Sequence, residues 1–176
     1  MKEEMFEILN EKNQVVGLKP RSVVHSKGFK HKGTYLLIFD KGGKVFVQQR
    51  AKNKDLMPSR WDISTAEHLK PGESYETAVV RGAQEELGIK IKNIKLLGEI
   101  KFYFEYPGGE IDNELNRLFM AEFSGKIHFK DKEVQQGKFI GLQQLLKKMN
   151  AKPEKFTPWF LDCKDYLKKL MINNND

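Results

Sequence analysis

Between Glu67 and Ile89 the chain reads Glu67-His68-Leu69-Lys70-Pro71-Gly72-Glu73 and then, after seven residues, Arg81-Gly82-Ala83-Gln84-Glu85-Glu86-Leu87-Gly88-Ile89. This stretch constrains the fold most, because it dictates a tight Pro-Gly loop followed by a short, acidic helix. The Ser74 hydroxyl can cap the helix start by accepting from a first-turn N–H. Gly88 fits the position just past the end, where positive φ is cheap only without a Cβ. At about 100° per residue, Val79, Val80, Ala83 and Leu87 fall on one side and are expected to face the core. Ala78, Arg81, Gly82, Glu85 and Glu86 gather on another side. Adjacent carboxylates repel unless a cation or proton neutralises them, and a hard ion such as Mg²⁺ (or Mn²⁺) takes oxygen ligands while keeping water and phosphate in its shell. A bare Glu-Glu pair is ordinarily just a solvated helix end, so the residues alone leave both readings open.

At 176 residues the chain is of single-domain size and can bury a real core, so residues 1–176 are expected to form one domain. With 39% hydrophobic and 31% charged residues, the composition is that of a soluble globular protein. No run approaches the ~18–20 apolar residues of a membrane span. Met1-Lys2-Glu3-Glu4 is followed by no apolar stretch of signal-peptide kind. The lone Cys163 cannot form an internal disulfide, which fits a reducing cytoplasm. The net charge of +7 is scattered rather than gathered in a stripe. That pattern favours a solvated lysine-rich surface, or an anionic small-molecule substrate, over nucleic acid.

Mixed α and β elements are expected. Residues 6–10 and 15–18 read as a hairpin and 20–26 as a short helix with Pro at its first turn. Residues 35–39 form an apolar run, 44–49 alternate, and Lys41-Gly42-Gly43 turns the chain between them. Residues 61–65 lead into the loop. Residues 94–106 and 114–123 read as strands joined through Pro107-Gly108-Gly109, and 139–142 as a short strand. Helices are expected over 142–149 and 158–170, with a frayed tail near 172–176.

The loop–helix stretch resembles the Nudix box, the signature of enzymes that cleave or rearrange diphosphates. Glu73, Arg81, Ala83, Glu85, Glu86, Gly88 and Ile89 fall on its pattern; Glu67 stands where Gly belongs, and Gly82 where Glu belongs. The resemblance implies an α/β fold, the Nudix α/β/α sandwich with a mixed β-sheet. It implies Mg²⁺ or Mn²⁺ held by Glu73, Glu85 and Glu86, with Arg81 among the substrate-binding residues.

From residue 6 to residue 160 the chain is similar to one branch of that superfamily, the isopentenyl diphosphate isomerases and the hydrolases most like them. The resemblance places His25, His31, His68, Asp112 and Glu114 on a second, transition-metal site. Imidazoles with carboxylates suit Zn²⁺, Mn²⁺ or Fe²⁺ better than Mg²⁺ alone. His128 matches nothing. Arg21, Arg50 and Lys54 match diphosphate-binding positions, where a cationic fork or point charge binds phosphate oxygens; solvated charge is the plain alternative for Arg50 and Lys54. Trp159 matches an aromatic that faces a developing carbocation, or else anchors the last helix.

One departure decides between activities. The isomerases carry Cys where this chain has Ala66, opposite the Glu that corresponds to Glu114. Allylic isomerisation needs an acid and a base on opposite faces, and alanine is neither. The expected activity is therefore metal-dependent hydrolysis of a small nucleoside or isoprenoid diphosphate, with Glu85 and Glu86 holding metal and Glu114 or Glu133 as base. Gly82 argues against a fully active hydrolase, though Glu67 could return a carboxylate from the loop. The alternatives are a true isomerase and a non-catalytic diphosphate-sensing module.

Overall fold

The computed structural model describes residues 3–129 and 133–173; residues 174–176 of the expected tail, and Asp131 and Lys132 beside Glu133, lie outside them. Strands β1 (Met5–Leu9) and β2 (Val15–Pro20) pair antiparallel as a separate hairpin. Helix α1 (Arg21–Lys27) follows, ended by Gly28 at φ 64°. The main sheet has seven strands: β3 (His31–Phe39), β4 (Val45–Arg50), β5 (Trp61–Asp62), β6 (Thr65–His68), β7 (Lys95–Glu105), β8 (Ile111–Glu122) and β9 (Val134–Ile140). It is mixed, since β3 and β8 run parallel while the other pairs are antiparallel. Helix α2 (Tyr75–Glu86) and the C-terminal helices α3 (Leu142–Ala151), α4 (Pro158–Asp162) and α5 (Lys164–Asn173) complete the chain.

The sandwich follows from period-two alternation along strands buried on both faces. On β3, Tyr35, Leu37 and Phe39 join a core with Phe156, Phe160 and Leu167 of the C-terminal segment. Leu36 and Ile38 face the other way, onto Val79 and Ala83 of α2 and onto Leu87 just past its end. Strand β3 pairs with β4 only at Phe39↔Val45; along Gly33–Leu36 its edge is taken by β6. The sheet therefore forks, and β4, β6 and β8 come to surround one hollow.

Several boundaries differ from the sequence expectation. Val80 is 38% exposed rather than in the core. The small residues Ala78 and Gly82 turn inward instead, where α2 approaches β6. Strand β9 begins at Val134, five residues early, because a polar Val-Gln-Gln-Gly-Lys stretch pairs with β4 and gives no apolar signal. Strand β3 begins at His31 and β8 at Ile111, so the polar beginnings of both are part of the ladder. The expected helix over 158–170 breaks at Cys163, whose N–H turns back to the Phe160 carbonyl (3.1 Å). The caps of α2 are as expected: Ser74 Oγ accepts from the Thr77 N–H at 3.1 Å, and Gly88 has φ 66°.

Candidate functional site

A cavity of about 310 Å³ opens at the fork of the sheet. Its wall includes Arg21, Arg50, Lys54, Arg81 and Trp159 among the expected binding residues, and Glu85, Glu86 and Glu133 among the expected acids. His25, His68, Asp112 and Glu114 also line it, with Ala66 beside them. Two expected site residues do not, His31 and Glu73.

The three histidines come from three elements and meet. His25 lies in α1, His31 opens β3 and His68 closes β6, with one ring nitrogen of each within 4.8 Å of the others. Alternation along β8 sends Asp112, Glu114 and Asn116 to one face, and register sets Glu114 opposite His31. Glu114 Oε1 lies 3.0 Å from His68 Nε2 and 3.6 Å from His31 Nε2, and Asp112 Oδ1 lies 3.3 Å from His25 Nε2. The other oxygen of Glu114 accepts from Tyr35 Oη (3.1 Å) and Asn116 Nδ2 (2.7 Å). The Tyr106 hydroxyl donates to Asp112 Oδ2. Gly33 makes room for this arrangement, since a Cβ there would meet Asn116 Oδ1 at 2.1 Å.

The ring orientations suit a cation. His25 Nδ1 and His31 Nδ1 sit 3.0 and 2.9 Å from the carbonyls of Arg21 and Phe29. Donation from Nδ1 leaves each Nε2 with a lone pair aimed inward. His31 Nε2 is buried with no hydrogen-bond partner among the described residues, which ordinarily costs about 1–3 kcal/mol. Phe6 of β1 stacks over His68 and His31 at centroid distances of 4.6 and 5.5 Å and closes the cluster. Burial, helped by its histidine neighbours, lowers the His25 imidazole to about 4. Burial would lower His31 as well, but the Glu114 carboxylate prevails and raises it. Burial opposes ionisation of Glu114, and His31 and His68 nonetheless hold it well below the usual carboxylate range. Asp112 is pushed up to about 6, by burial first and then by the Glu114 charge. Three nitrogens and two carboxylates fit a transition metal.

The acidic helix end is organised by Arg81. Its guanidinium holds both oxygens of Glu73 (2.9 and 3.0 Å), one of Glu67 (3.0 Å), one of Glu85 (3.0 Å) and the His68 carbonyl (2.9 Å). Glu73 Oε2 also accepts from the Lys70 N–H at 2.9 Å. Both oxygens of Glu73, expected as a metal ligand, meet the Arg81 guanidinium, and one of them also closes the loop. Arg81, expected among the substrate-binding residues, lines the cavity with its guanidinium on these carboxylates. Glu86 Oε2 accepts from Gln48 Nε2 at 2.9 Å, and Glu85 is half exposed.

The cationic wall is partly engaged. Lys54 pairs with Glu133 at 2.8 Å. Arg50 reaches Asp62 (3.3 Å) and the Leu56 carbonyl and lies 5.2 Å from the Trp159 ring centre. Trp159 donates to Asp62 Oδ1 at 2.7 Å, so it anchors the last helices while also lining the cavity. Sequence reasoning missed Phe6, Tyr35, Gln48, Asp62, Tyr106 and Asn116. Only Asp62, polar between Trp61 and Ile63, carried a signal.

Comparison with known proteins bears on the family and the fold. The NUDIX domain profile matches residues 29–160. The chain is 30% identical over 159 residues to the isopentenyl-diphosphate Delta-isomerase of Serratia proteamaculans, covering 90% of this chain and 88% of that one. It is 34% identical over 150 residues to an uncharacterized Nudix hydrolase of Clostridium acetobutylicum, covering 82% and 71%. A solved Deinococcus radiodurans structure, DR0079, superposes with a TM-score of 0.75 at 19% identity over 95% of this chain and 99% of that one, which bears on the fold alone.

Proposed function

We propose that this chain, which belongs to the Nudix family and is similar to its isopentenyl-diphosphate-isomerase branch, is a metal-dependent hydrolase of a small nucleoside or isoprenoid diphosphate. The observation that carries the reading is Ala66 in the cavity wall. No thiol faces Glu114 across the hollow. Cys163 is fully buried behind Trp159, bonded to its carbonyl, and burial pushes its thiol well up. Glu114 itself is pinned by Tyr35, Asn116 and His68, which suits an oriented anion better than a shuttling acid.

The remaining groups divide the work. Gln48 and Arg81 hold Glu86 and Glu85 so that their carboxylates face the cavity. A divalent ion, when bound there, supplies Lewis-acid polarisation of a phosphoryl oxygen. Arg21, Arg50 and Lys54 present positive charge for the diphosphate. Glu133, paired with Lys54 in the cavity wall, is with Glu114 a candidate base for the attacking water. His25, His31, His68, Asp112 and Glu114 would hold Zn²⁺, Mn²⁺ or Fe²⁺. The test is phosphate release from nucleoside and prenyl diphosphates with Mg²⁺ and Mn²⁺, for wild type and Glu86→Gln. Turnover lost in a variant that melts normally supports the reading; full activity in Glu86→Gln refutes it. Tight ligand binding without any product would make the protein a sensor.

A further inference from the structure

Gly82 and Glu67 occupy one space. A Cβ built on Gly82 would lie 2.4 Å from Glu67 Cγ and 3.4 Å from Cδ. The two positions cannot both carry an unshifted side chain. The Glu67 chain fills the volume in which a residue-82 side chain would start, on the buried face of α2 beside Ala83 and Glu86. Its carboxylate then meets the same guanidinium nitrogen as its neighbour's: Arg81 Nη1 is 3.0 Å from Glu67 Oε2 and 3.0 Å from Glu85 Oε2. Those two oxygens are at most twice that distance apart. Arg81 is the one hydrogen-bond partner of the Glu67 carboxylate among the described residues, and Glu67 lines the cavity with Glu85 and Glu86.

We infer that Glu67 is a divalent-ion ligand of this site, its carboxylate delivered from β6 into the place that α2 leaves open at Gly82. The inference rests on the hydrolase reading above for the site and names a further residue in it. Charge supports it. Glu67, Glu73 and Glu85 share one guanidinium. The half-exposed Lys70 reaches Glu85 only at 3.6 Å. Three carboxylates on one monovalent guanidinium favour a multivalent ion with oxygen ligands. The glycine has a local reason as well: it weakens a helix interior by roughly 0.5–1 kcal/mol, yet any side chain there would displace Glu67.

The experiment measures Mn²⁺ binding to substrate-free protein by the magnetic resonance signal of the free ion. One equivalent of Zn²⁺ is added first to occupy the histidine cluster. Glu67→Gln keeps the volume and the acceptor for Arg81 but removes the charge. Its Mn²⁺ affinity is expected to fall about tenfold or more with an unchanged melting curve. Gly82→Glu alone is expected to melt earlier, from crowding. The double exchange Glu67→Gly with Gly82→Glu is expected to bind Mn²⁺ within a few-fold of wild type. Wild-type affinity in a folded Glu67→Gln protein overturns the inference and leaves Glu67 as a spacer for Arg81. The two readings fail separately. Hydrolysis with unaltered affinity in Glu67→Gln sinks only the ligand role. Affinity lost with Glu67, in a protein that cleaves no diphosphate, sinks only the hydrolase.

Discussion

Trp159 donates its indole N–H to Asp62 Oδ1 at 2.7 Å, and this bond ties the C-terminal helices to the rim of the cavity. Asp62 is fully buried and also receives the Thr157 hydroxyl (2.8 Å), the Ile63 N–H (2.8 Å) and Arg50 Nη1 (3.3 Å). Burial raises its pKa, while these partners oppose the rise. Removing it would strand several buried donors at once. Asp62→Ala is expected to destabilise the fold by about 3–5 kcal/mol, read as a lower urea midpoint. A loss under about 1 kcal/mol would show that water or a shifted side chain replaces the carboxylate.

The histidine cluster predicts a bound ion. Protein purified without a histidine tag is expected to carry one transition-metal equivalent per chain, removed by His68→Ala. Elemental analysis decides it. If no metal is retained after supplementation with Zn²⁺ and Mn²⁺, these five residues are a buried polar network only.

Hydrolase and isomerase are separated by carbon chemistry. With isopentenyl diphosphate in heavy water, the wild type is expected to incorporate no carbon-bound deuterium. Rapid incorporation, seen by NMR, would favour the isomerase with another residue in place of the thiol. Ala66→Cys returns the missing thiol to the cavity wall opposite Glu114, so weak exchange confined to that variant is the expected companion result.

The Arg81–Glu73 pair predicts a pH dependence. Burial works to raise Glu73, but the Arg81 hydrogen bonds, the Lys70 N–H and the positive charges prevail, and the folded-state pKa lies below 4.5. The folded state thus binds this proton less readily than the unfolded state, and the sign follows. The contribution is fully present above about 4.5 and is lost as pH falls through the lower, folded value. The melting temperature of Glu73→Gln should lie below wild type at pH 7, with the gap closing toward pH 3. A gap that is constant with pH would assign the effect to shape alone.

Much of the site was legible because its residue types are rare and its spacing is local. The box helix, its Ser74 cap and its Gly88 stop are set by interactions within a few residues, so the sequence determined them. The histidines and the Asp112-Asn113-Glu114 stretch could be picked out by their resemblance to a family. Their convergence, however, depends on which strand lies beside which: His31 meets Glu114 through the parallel β3–β8 register, across more than eighty residues.

Other features were decided only by tertiary contact. Glu73 and Glu86 are both acids of the same motif, yet Arg81 claims one and Gln48 of β4 contacts the other. Asp62 looked like a lone polar residue until Thr157 and Trp159 folded back onto it. Helix periodicity placed Val80 in the core, but the close approach of β6 to Gly82 rolled the buried face toward Ala78 and Gly82. Sequence sets propensities, caps and turn conformations because those energies are local. Pairings across tens of residues depend on sheet order and packing, and those exist only once the chain has closed.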